Sequence, residues 1–174
     1  MEDKDVYILK ELDKFSSVTD AIKAQKLKYE YKVLKCEIME ANRRISKQLD
    51  LPIAAKIFHL EKVRIVEGKP RSIEKIYIDY TMVEGIEKYD FEKDSFYYIL
   101  NSKYGIRTIR SEEEILIVDG TEQELKLLEL DGDNNEVLLI KGRTFIDSKV
   151  SPLEYFEIVS LTSFYHFRSV TPYE

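Results

Sequence analysis

The stretch KVRIVEGKPRSIEKIYI, residues 62–78, decides the fold of this chain. It contains two runs of alternating apolar and polar residues, separated by Gly68-Lys69-Pro70. Alternation with a period of two is typical of β-strands that are buried on one face, and a short connection containing glycine indicates a hairpin. So short a connection excludes a parallel crossover. The stretch therefore predicts two antiparallel strands.

One face of this predicted hairpin is charged. With a three-residue loop at 68–70, the register would place Arg64 directly opposite Glu74, and Lys62 would share that face because side chains alternate along a strand. The opposite face would be apolar, with Val63, Ile65, Ile73 and Tyr77. The charged face has two interpretations. It lines a ligand site, or it holds a solvated cross-strand ion pair worth about 0.2–1 kcal/mol.

The rest of the chain switches between strand and helix patterns, and its second best-supported element is a helix that begins with a capping box from Thr121 to Glu124. The predicted strands are 29–40, 55–66, 71–78, 106–120, 136–147 and 151–168. The predicted helices are 16–28, 42–51, 92–105 and 121–130. Closely joined strand pairs again favour antiparallel pairing. We predict an α+β fold, a mainly antiparallel six-stranded sheet with short helices inserted between hairpins.

Composition limits the classes of function. The 174 residues carry a formal net charge of −6, with 44% hydrophobic and 34% charged residues, which is typical of one soluble globular domain. An acidic domain is a poor partner for the phosphates of DNA. We find no signal-peptide or membrane-spanning pattern, and Cys36 is the only cysteine, so we expect a cytoplasmic protein. Common nucleotide-binding and nucleophile motifs are absent from the sequence, and no cofactor is expected.

Two acidic stretches could suggest a metal site. Residues 112–114 are three consecutive glutamates, which are more typical of a solvated strand end. Residues 131–136, DGDNNE, superficially resemble a calcium loop, but Gly142 stands where such a loop has its last glutamate. We therefore predict a turn at 131–135 and no metal site.

Four local patterns, in this order, resemble the UTRA domain, the effector-binding module of the HutC branch of GntR-type transcriptional regulators, whose fold is similar to that of chorismate lyase. They are SSVTDAIKAQK from 16, EKVRIVEGKPRSIEKIYI from 61, DSFYYILNSKYGIR from 94 and SPLEYFEIVSLTSFYHFR from 151. The resemblance covers roughly residues 15–168. Two departures concern the effector: Lys62 replaces the first arginine of the family's Arg-x-Arg pair, and Ser160 stands where a tyrosine is usual.

The resemblance implies a set of ligand-binding residues. Arg64 would bind an anionic group of the effector, Lys62 would add a second positive charge, and Glu74 would accept hydrogen bonds from ligand hydroxyls or an amine. The full set is Arg64, Glu74, Lys62, Ser16, Ser17, Thr19, Ser95, Tyr97 and Glu154. Because family members commonly bind phosphosugars, the expected effector is a small anionic metabolite, and a sugar phosphate is the leading candidate.

The resemblance also implies a domain organisation and a partner. Residues 1–15 would be the tail of a linker from a missing N-terminal winged helix-turn-helix, and residues 16–174 would be the UTRA ligand-binding domain. The domain would form a homodimer and reach DNA only through the missing domain. A stand-alone sensor and a dimerisation module without a ligand remain alternatives. So does a chorismate lyase-like enzyme acting on an aromatic carboxylate through Arg64 with Glu74 or Glu154, although the resemblance favours a non-enzyme.

Overall fold

A six-stranded antiparallel sheet forms the centre of the computed structural model, which describes residues 6–146 and 150–173. The strands of the described part are β1 Ile8–Glu11, β2 Tyr29–Glu40, β3 Lys56–Val66, β4 Lys69–Asp79, β5 Arg110–Asp119, β6 Glu136–Phe145, β7 Glu154–Ser160 and β8 Tyr165–Arg168. The large sheet has the order β2-β3-β4-β7-β6-β5. Strands β3–β4 and β6–β7 form antiparallel hairpins, and the other neighbours in this sheet also pair antiparallel, which confirms the predicted fold class.

The helices are short and begin and end at residues that favour such positions. They are α1 Val18–Ala24, α2 Arg43–Leu49, α3 Phe96–Tyr104 and α4 Glu122–Leu127, with 3-10 helices at Tyr80–Met82 and Ile86–Lys88. Gly105 ends α3 with a φ of 66°, which glycine adopts easily, and Thr121 and Glu124 form the predicted capping box of α4. Among the helices of the described residues, none is long and apolar enough to cross a membrane.

The hairpin between β3 and β4 has a tighter turn than predicted. Val66 pairs with Lys69, so the turn consists of Glu67 and Gly68 alone. Their φ angles are 51° and 77°. Two central residues with positive φ form the turn type whose twist matches that of antiparallel strands, and glycine at the second position relieves the steric cost.

The predicted register of this hairpin was wrong, although the predicted face was right. Arg64 lies opposite Ser72, and Lys62 lies opposite Glu74. The two-residue turn, with a bulge between Arg64 and Ile65, moves the pairing away from the register that a three-residue loop would give. Arg64 therefore reaches Glu74 diagonally, two residues along β4 from its own partner Ser72.

The two faces of the sheet have different coverings. The face that carries Lys62 and Arg64, here called the inner face, packs against α1, α3 and the pair β1–β8 through the largest apolar cluster. The opposite, outer face has two smaller apolar clusters. One lies under α2 and includes Ile45 and Leu49, and the other lies under α4 and includes Leu128.

Both ends of the chain depart from the sequence interpretation. Within the predicted linker tail, β1 pairs in parallel with β8, and the side chain of Ile8 is 1% exposed, so this part packs against the domain. Residues 1–5 of the predicted linker lie outside the described residues. The predicted last strand, 151–168, is two strands, because β7 pairs with β4 and β6 whereas β8 pairs with β1.

Candidate functional site

Three charged side chains meet on the inner face of the β3–β4 hairpin. Lys62 Nζ lies 3.5 Å from Glu74 Oε2, and Arg64 Nη2 lies 3.3 Å from the same oxygen. The side chains of both cations are 2% exposed and that of Glu74 is 11% exposed. Burial by itself raises the pKa of Glu74, but the neighbouring Lys62 and Arg64 outweigh it, and the net pKa is lowered. Glu74 is thus a carboxylate that neutralises one of two buried cations.

The guanidinium of Arg64 is held from several sides. Its Nη1 donates to Ser72 Oγ at 3.0 Å and to the hydroxyl of Tyr165 at 3.4 Å. Its buried Nε has no hydrogen-bond partner within the described residues. Burial, with a smaller opposing effect of Arg64, raises the pKa of Tyr165 to about 12, so that this phenol stays neutral. Arg64 is therefore fixed in place, with one buried donor left without a partner in this part of the chain.

An aromatic ring from β2 covers the two cations. Lys62 Nζ lies 4.0 Å from the centroid of the Tyr31 ring, and Arg64 Cζ lies 5.5 Å from it. Such cation–π contacts are stronger when the cation is desolvated, as it is here. The hydroxyl of Tyr31 is hydrogen-bonded to Thr19 Oγ1. Thr19, one of the predicted ligand residues, thus holds the ring that shields the cations.

A second polar group connects α3 to β7. The Tyr97 hydroxyl and Thr144 Oγ1 donate to Glu154 Oε2 at 2.8 Å and 2.9 Å, and Glu154 Oε1 is buried without a partner in the described part of the chain. Burial raises the pKa of Glu154 to about 8, although these two hydrogen bonds lower it. Burial beside Glu154 also raises the pKa of Tyr97 well above its ordinary value. At neutral pH, Glu154 is mostly a neutral acid.

A small cavity of about 30 Å³ adjoins these groups. We call it the inner cavity, and its lining includes four of the predicted ligand residues: Ser16, Ser17, Glu74 and Tyr97.

Ser17 also caps α1, since its Oγ accepts from Asp20 N. Ser95 does not line the inner cavity, and its hydroxyl caps α3 by accepting from Tyr98 N at 3.2 Å. The structure thus brings the predicted residues together, apart from Ser95.

Several partners in the site were not predicted from the sequence: Tyr31, Ser72, Thr144 and Tyr165. Ser72 alternates with Glu74 along one strand, so the sequence already places both on the same face, although not as partners of Arg64. The other three come from β2, β6 and β8. They could be identified only once the order and register of those strands were known.

A comparison with protein-family models matches residues 24–166 to the UTRA domain. The match covers most of the chain. The chain belongs to the UTRA family. This membership confirms the resemblance that the four sequence patterns suggested, and it supports an effector-binding regulatory role for the domain.

Solved structures with the same fold include other UTRA-type regulator domains. PhnF from Mycobacterium smegmatis matches with a TM-score of 0.85 and 20% identity, over 97% of this chain and 73% of that chain. The effector domain of the same PhnF matches over 95% of this chain and 100% of that chain, also at 0.85 and 20%. The C-terminal domain of the histidine utilization repressor from Pseudomonas syringae pv. tomato matches at 0.73 and 20%, over 84% and 100%. At these identities the likeness shows the fold.

Proposed function

We propose that this chain is the effector-binding domain of a GntR/HutC-type bacterial transcriptional regulator. We propose further that its effector is a small anionic metabolite, with a sugar phosphate as the leading candidate. The observation that carries the proposal is the excess of positive charge buried near the inner cavity. Lys62 and Arg64 supply two positive charges and Glu74 supplies one negative charge. Glu154, with a pKa of about 8, adds little negative charge at pH 7. A buried charge without a counter-ion is costly, so an anion bound nearby would be stabilised.

A thermal-shift screen tests the proposal directly. Glucose 6-phosphate and glucosamine 6-phosphate would each be compared with the unphosphorylated parent sugar. A ligand at a hundred times its Kd should raise the Tm of a chain of this size by roughly 5–10 °C, because it binds only the folded state. If no phosphorylated sugar raises the Tm, the sugar-phosphate assignment fails, and carboxylates would be screened next.

A pair of lysine variants distinguishes the effect of the buried charges on the inner face from the effect of the net charge of the domain. Lys62→Met removes a cation from the inner face, whereas Lys75→Met removes one from the outer face, where Lys75 pairs with Glu124. We expect weaker anion binding for Lys62→Met only. Equal weakening in both variants would show that the net charge of the domain, rather than the buried cluster, attracts the anion.

We further propose that DNA contact belongs to a winged helix-turn-helix domain that precedes the linker. The net charge of −6 supports this, because binding to DNA phosphates needs clustered cations. PhnF also supports it: this chain matches the whole of the PhnF effector domain but 73% of the longer PhnF chain. A regulator that joins such a domain to residues 6–173 should bind its operator with a salt-dependent affinity that the effector changes.

An exposed apolar edge supports a homodimer. Strand β5 lies at the edge of the six-stranded sheet, and its Ile115, Leu116 and Ile117 are 36%, 39% and 56% exposed. Apolar edge strands tend to pair with another strand. We expect Ile117→Lys to lower the mass measured by sedimentation equilibrium to that of a monomer. Ile53→Lys, at an exposed residue in a turn, is the control and should leave the mass unchanged.

One observation favours the alternative of a chorismate lyase-like enzyme. A neutral carboxylic acid such as Glu154 could protonate a leaving group, and Arg64 could bind a carboxylate. Incubation with chorismate, followed by the loss of its absorbance, distinguishes the two functions. Turnover that disappears in Glu154→Gln would replace the sensor proposal with the enzyme.

A further inference from the structure

A second, larger cavity lies beside the inner cavity. Its volume is about 390 Å³, and its lining comes from residues 10–16 and from β5. Four residues line both cavities: Lys10, Phe15, Ser16 and Glu113. Sites for small molecules usually measure about 300–1,000 Å³, whereas the inner cavity has room for little more than one water molecule. A metabolite therefore fits the larger cavity, which we call the outer cavity (the name does not refer to the outer face of the sheet). It would meet these four residues at the end that adjoins the inner cavity.

The boundary between the cavities is formed by a partly buried ion pair. Lys10 Nζ lies 2.6 Å from Glu113 Oε2, with side chains that are 12% and 18% exposed. Ser111 Oγ donates to the other oxygen of Glu113 at 3.0 Å. The pair joins β1 to β5, two strands that are not neighbours in a sheet.

The sheet makes room for this pair at Gly142. Glu113 lies opposite Gly142, and Gly142 lies opposite Phe156, another residue of the inner-cavity lining. A Cβ atom on Gly142 would clash first with the backbone oxygen of Glu112, and it would also lie 2.9 Å from Phe156 Cζ and 3.1 Å from Glu113 Cγ. The missing side chain at 142 thus allows Glu113 and Phe156 to approach each other across the intervening strand.

An anion that enters the outer cavity would meet the cations that line it rather than those buried behind other side chains. Lys62 and Arg64 are absent from the linings of both cavities, since they lie behind Glu74 and Tyr31. Lys14 and Arg110 line the outer cavity alone, whereas Lys10 lines both cavities, and within the described residues its ammonium pairs with the carboxylate of Glu113.

We propose that Lys10 and Glu113 are ligand-contacting residues of this domain, an inference that rests on the proposed binding of an anionic metabolite. The phosphate or carboxylate of the ligand replaces Glu113 as the partner of Lys10. Glu113, released from the ammonium, accepts hydrogen bonds from hydroxyl or amino groups of the same ligand. The ligand class is thus an anion that also carries hydrogen-bond donors, such as an amino sugar phosphate. Lys62 and Arg64 then act through Glu74 and the field of their charges.

Isothermal titration with inorganic phosphate and with glucosamine 6-phosphate tests the assignment. Lys10→Met keeps most of the length of the side chain and removes its charge. It should weaken the binding of both probes roughly tenfold or more, the value of one charge-assisted hydrogen bond. Lys93→Met is the matched control, because Lys93 also pairs with a carboxylate, that of Asp90, but is largely exposed and lines neither cavity. Its affinities should change by less than about twofold.

Glu113→Gln separates this inference from the proposed function. The variant frees Lys10 from its carboxylate, so inorganic phosphate should bind roughly tenfold more tightly than to the wild type. Glucosamine 6-phosphate should gain less, because it loses a carboxylate acceptor for its amine.

If a sugar phosphate binds the wild type but Lys10→Met binds it equally well, the assignment of Lys10 is wrong and the proposed function stands. If the sugar phosphates do not bind the wild type but Glu113→Gln gains phosphate binding, the proposed effector class is wrong and Lys10 remains the anion contact. Failure of Glu113→Gln to gain phosphate affinity overturns the inference.

Discussion

Two arginine–glutamate pairs on opposite faces of the same sheet make an instructive comparison. On the inner face, Arg64 pairs with Glu74 beside the ring of Tyr31. On the outer face, Arg44 pairs with Glu157, and its guanidinium lies 5.8 Å from the ring of Tyr155. The residue types are the same, but the side chain of Arg64 is 2% exposed and that of Arg44 is 52% exposed.

The difference in exposure changes what each pair contributes. Water screens the charge of Arg44, so its ion pair contributes at most about 1 kcal/mol to the free energy of unfolding. Arg64 has exchanged its water for fixed partners, and removal of the Glu74 carboxylate would leave both buried cations uncompensated. The outer pair can therefore change with little consequence, whereas the inner cluster is sensitive to each of its members and to any ion that approaches it.

The largest expected effect comes from Arg64→Ala. This variant removes the hydrogen bonds to Ser72, Tyr165 and Glu74 and leaves a cavity at a fully buried position, so we expect a loss of roughly 2–5 kcal/mol of unfolding free energy. Urea denaturation measures it. If Arg64→Ala does not fold, Arg64→Lys keeps the charge but loses the donors to Ser72 and Tyr165, and it should still destabilise the domain. A loss below that of Arg44→Ala would contradict the comparison.

The next effect concerns pH. The pKa of Glu154 is raised from 4.5 to about 8 in the folded state, so the folded chain binds more protons than the unfolded chain between these values. The contribution of Glu154 to stability is complete below about pH 4.5 and falls by about 1.4 kcal/mol per pH unit until about pH 8.

Glu154→Gln isolates this contribution, because an amide resembles the neutral acid and cannot ionise. The difference in unfolding free energy between the wild type and Glu154→Gln should therefore change steadily from pH 5 to pH 8. A difference that stays constant over this range would show that Glu154 is not buried as an acid.

Tyr97→Phe should have a smaller effect and should sharpen the assignment of Glu154. The hydrogen bond from the Tyr97 hydroxyl lowers the pKa of Glu154, so its removal should raise that pKa further. The pH-dependent loss of stability should still begin near pH 4.5 but extend to higher pH, with a change of about 1 kcal/mol at neutral pH. Tyr98→Phe, at the exposed neighbouring residue, is the control and should leave the pH profile unchanged.

The smallest effect is expected for Arg44→Ala on the outer face. Its pair with Glu157 is half exposed, so the unfolding free energy should fall by less than about 1 kcal/mol. Anion binding on the inner face should not change. A loss as large as that of Arg64→Ala would show that exposure does not separate the two pairs, and the comparison would fail.

Local patterns predicted much of the fold. The alternation around residues 62–78 predicted the β3–β4 hairpin and the shared face of Lys62, Arg64 and Glu74. The capping box at Thr121 predicted the start of α4. These features depend on neighbours within a few residues, where backbone geometry is nearly independent of the rest of the chain.

The candidate site was less predictable. The sequence suggested most of the residues that the structure brings together, through the resemblance to UTRA domains. It did not identify Tyr31, which covers the cations, or Lys10, which pairs with a residue 103 positions away. Ser95, which the resemblance also suggested, caps a helix in this structure.

The sequence by itself thus determined the antiparallel hairpins, the helix ends and the charged face, because each of these follows from the spacing of residues along one segment. Only the tertiary structure decided which residue lies opposite Glu74, since a single bulge changes the register of a strand. It also decided that Arg64 and Glu154 are buried while Arg44 is exposed. Burial depends on elements from distant parts of the chain, and it is burial that converts an ordinary ion pair or carboxyl into a sensitive one.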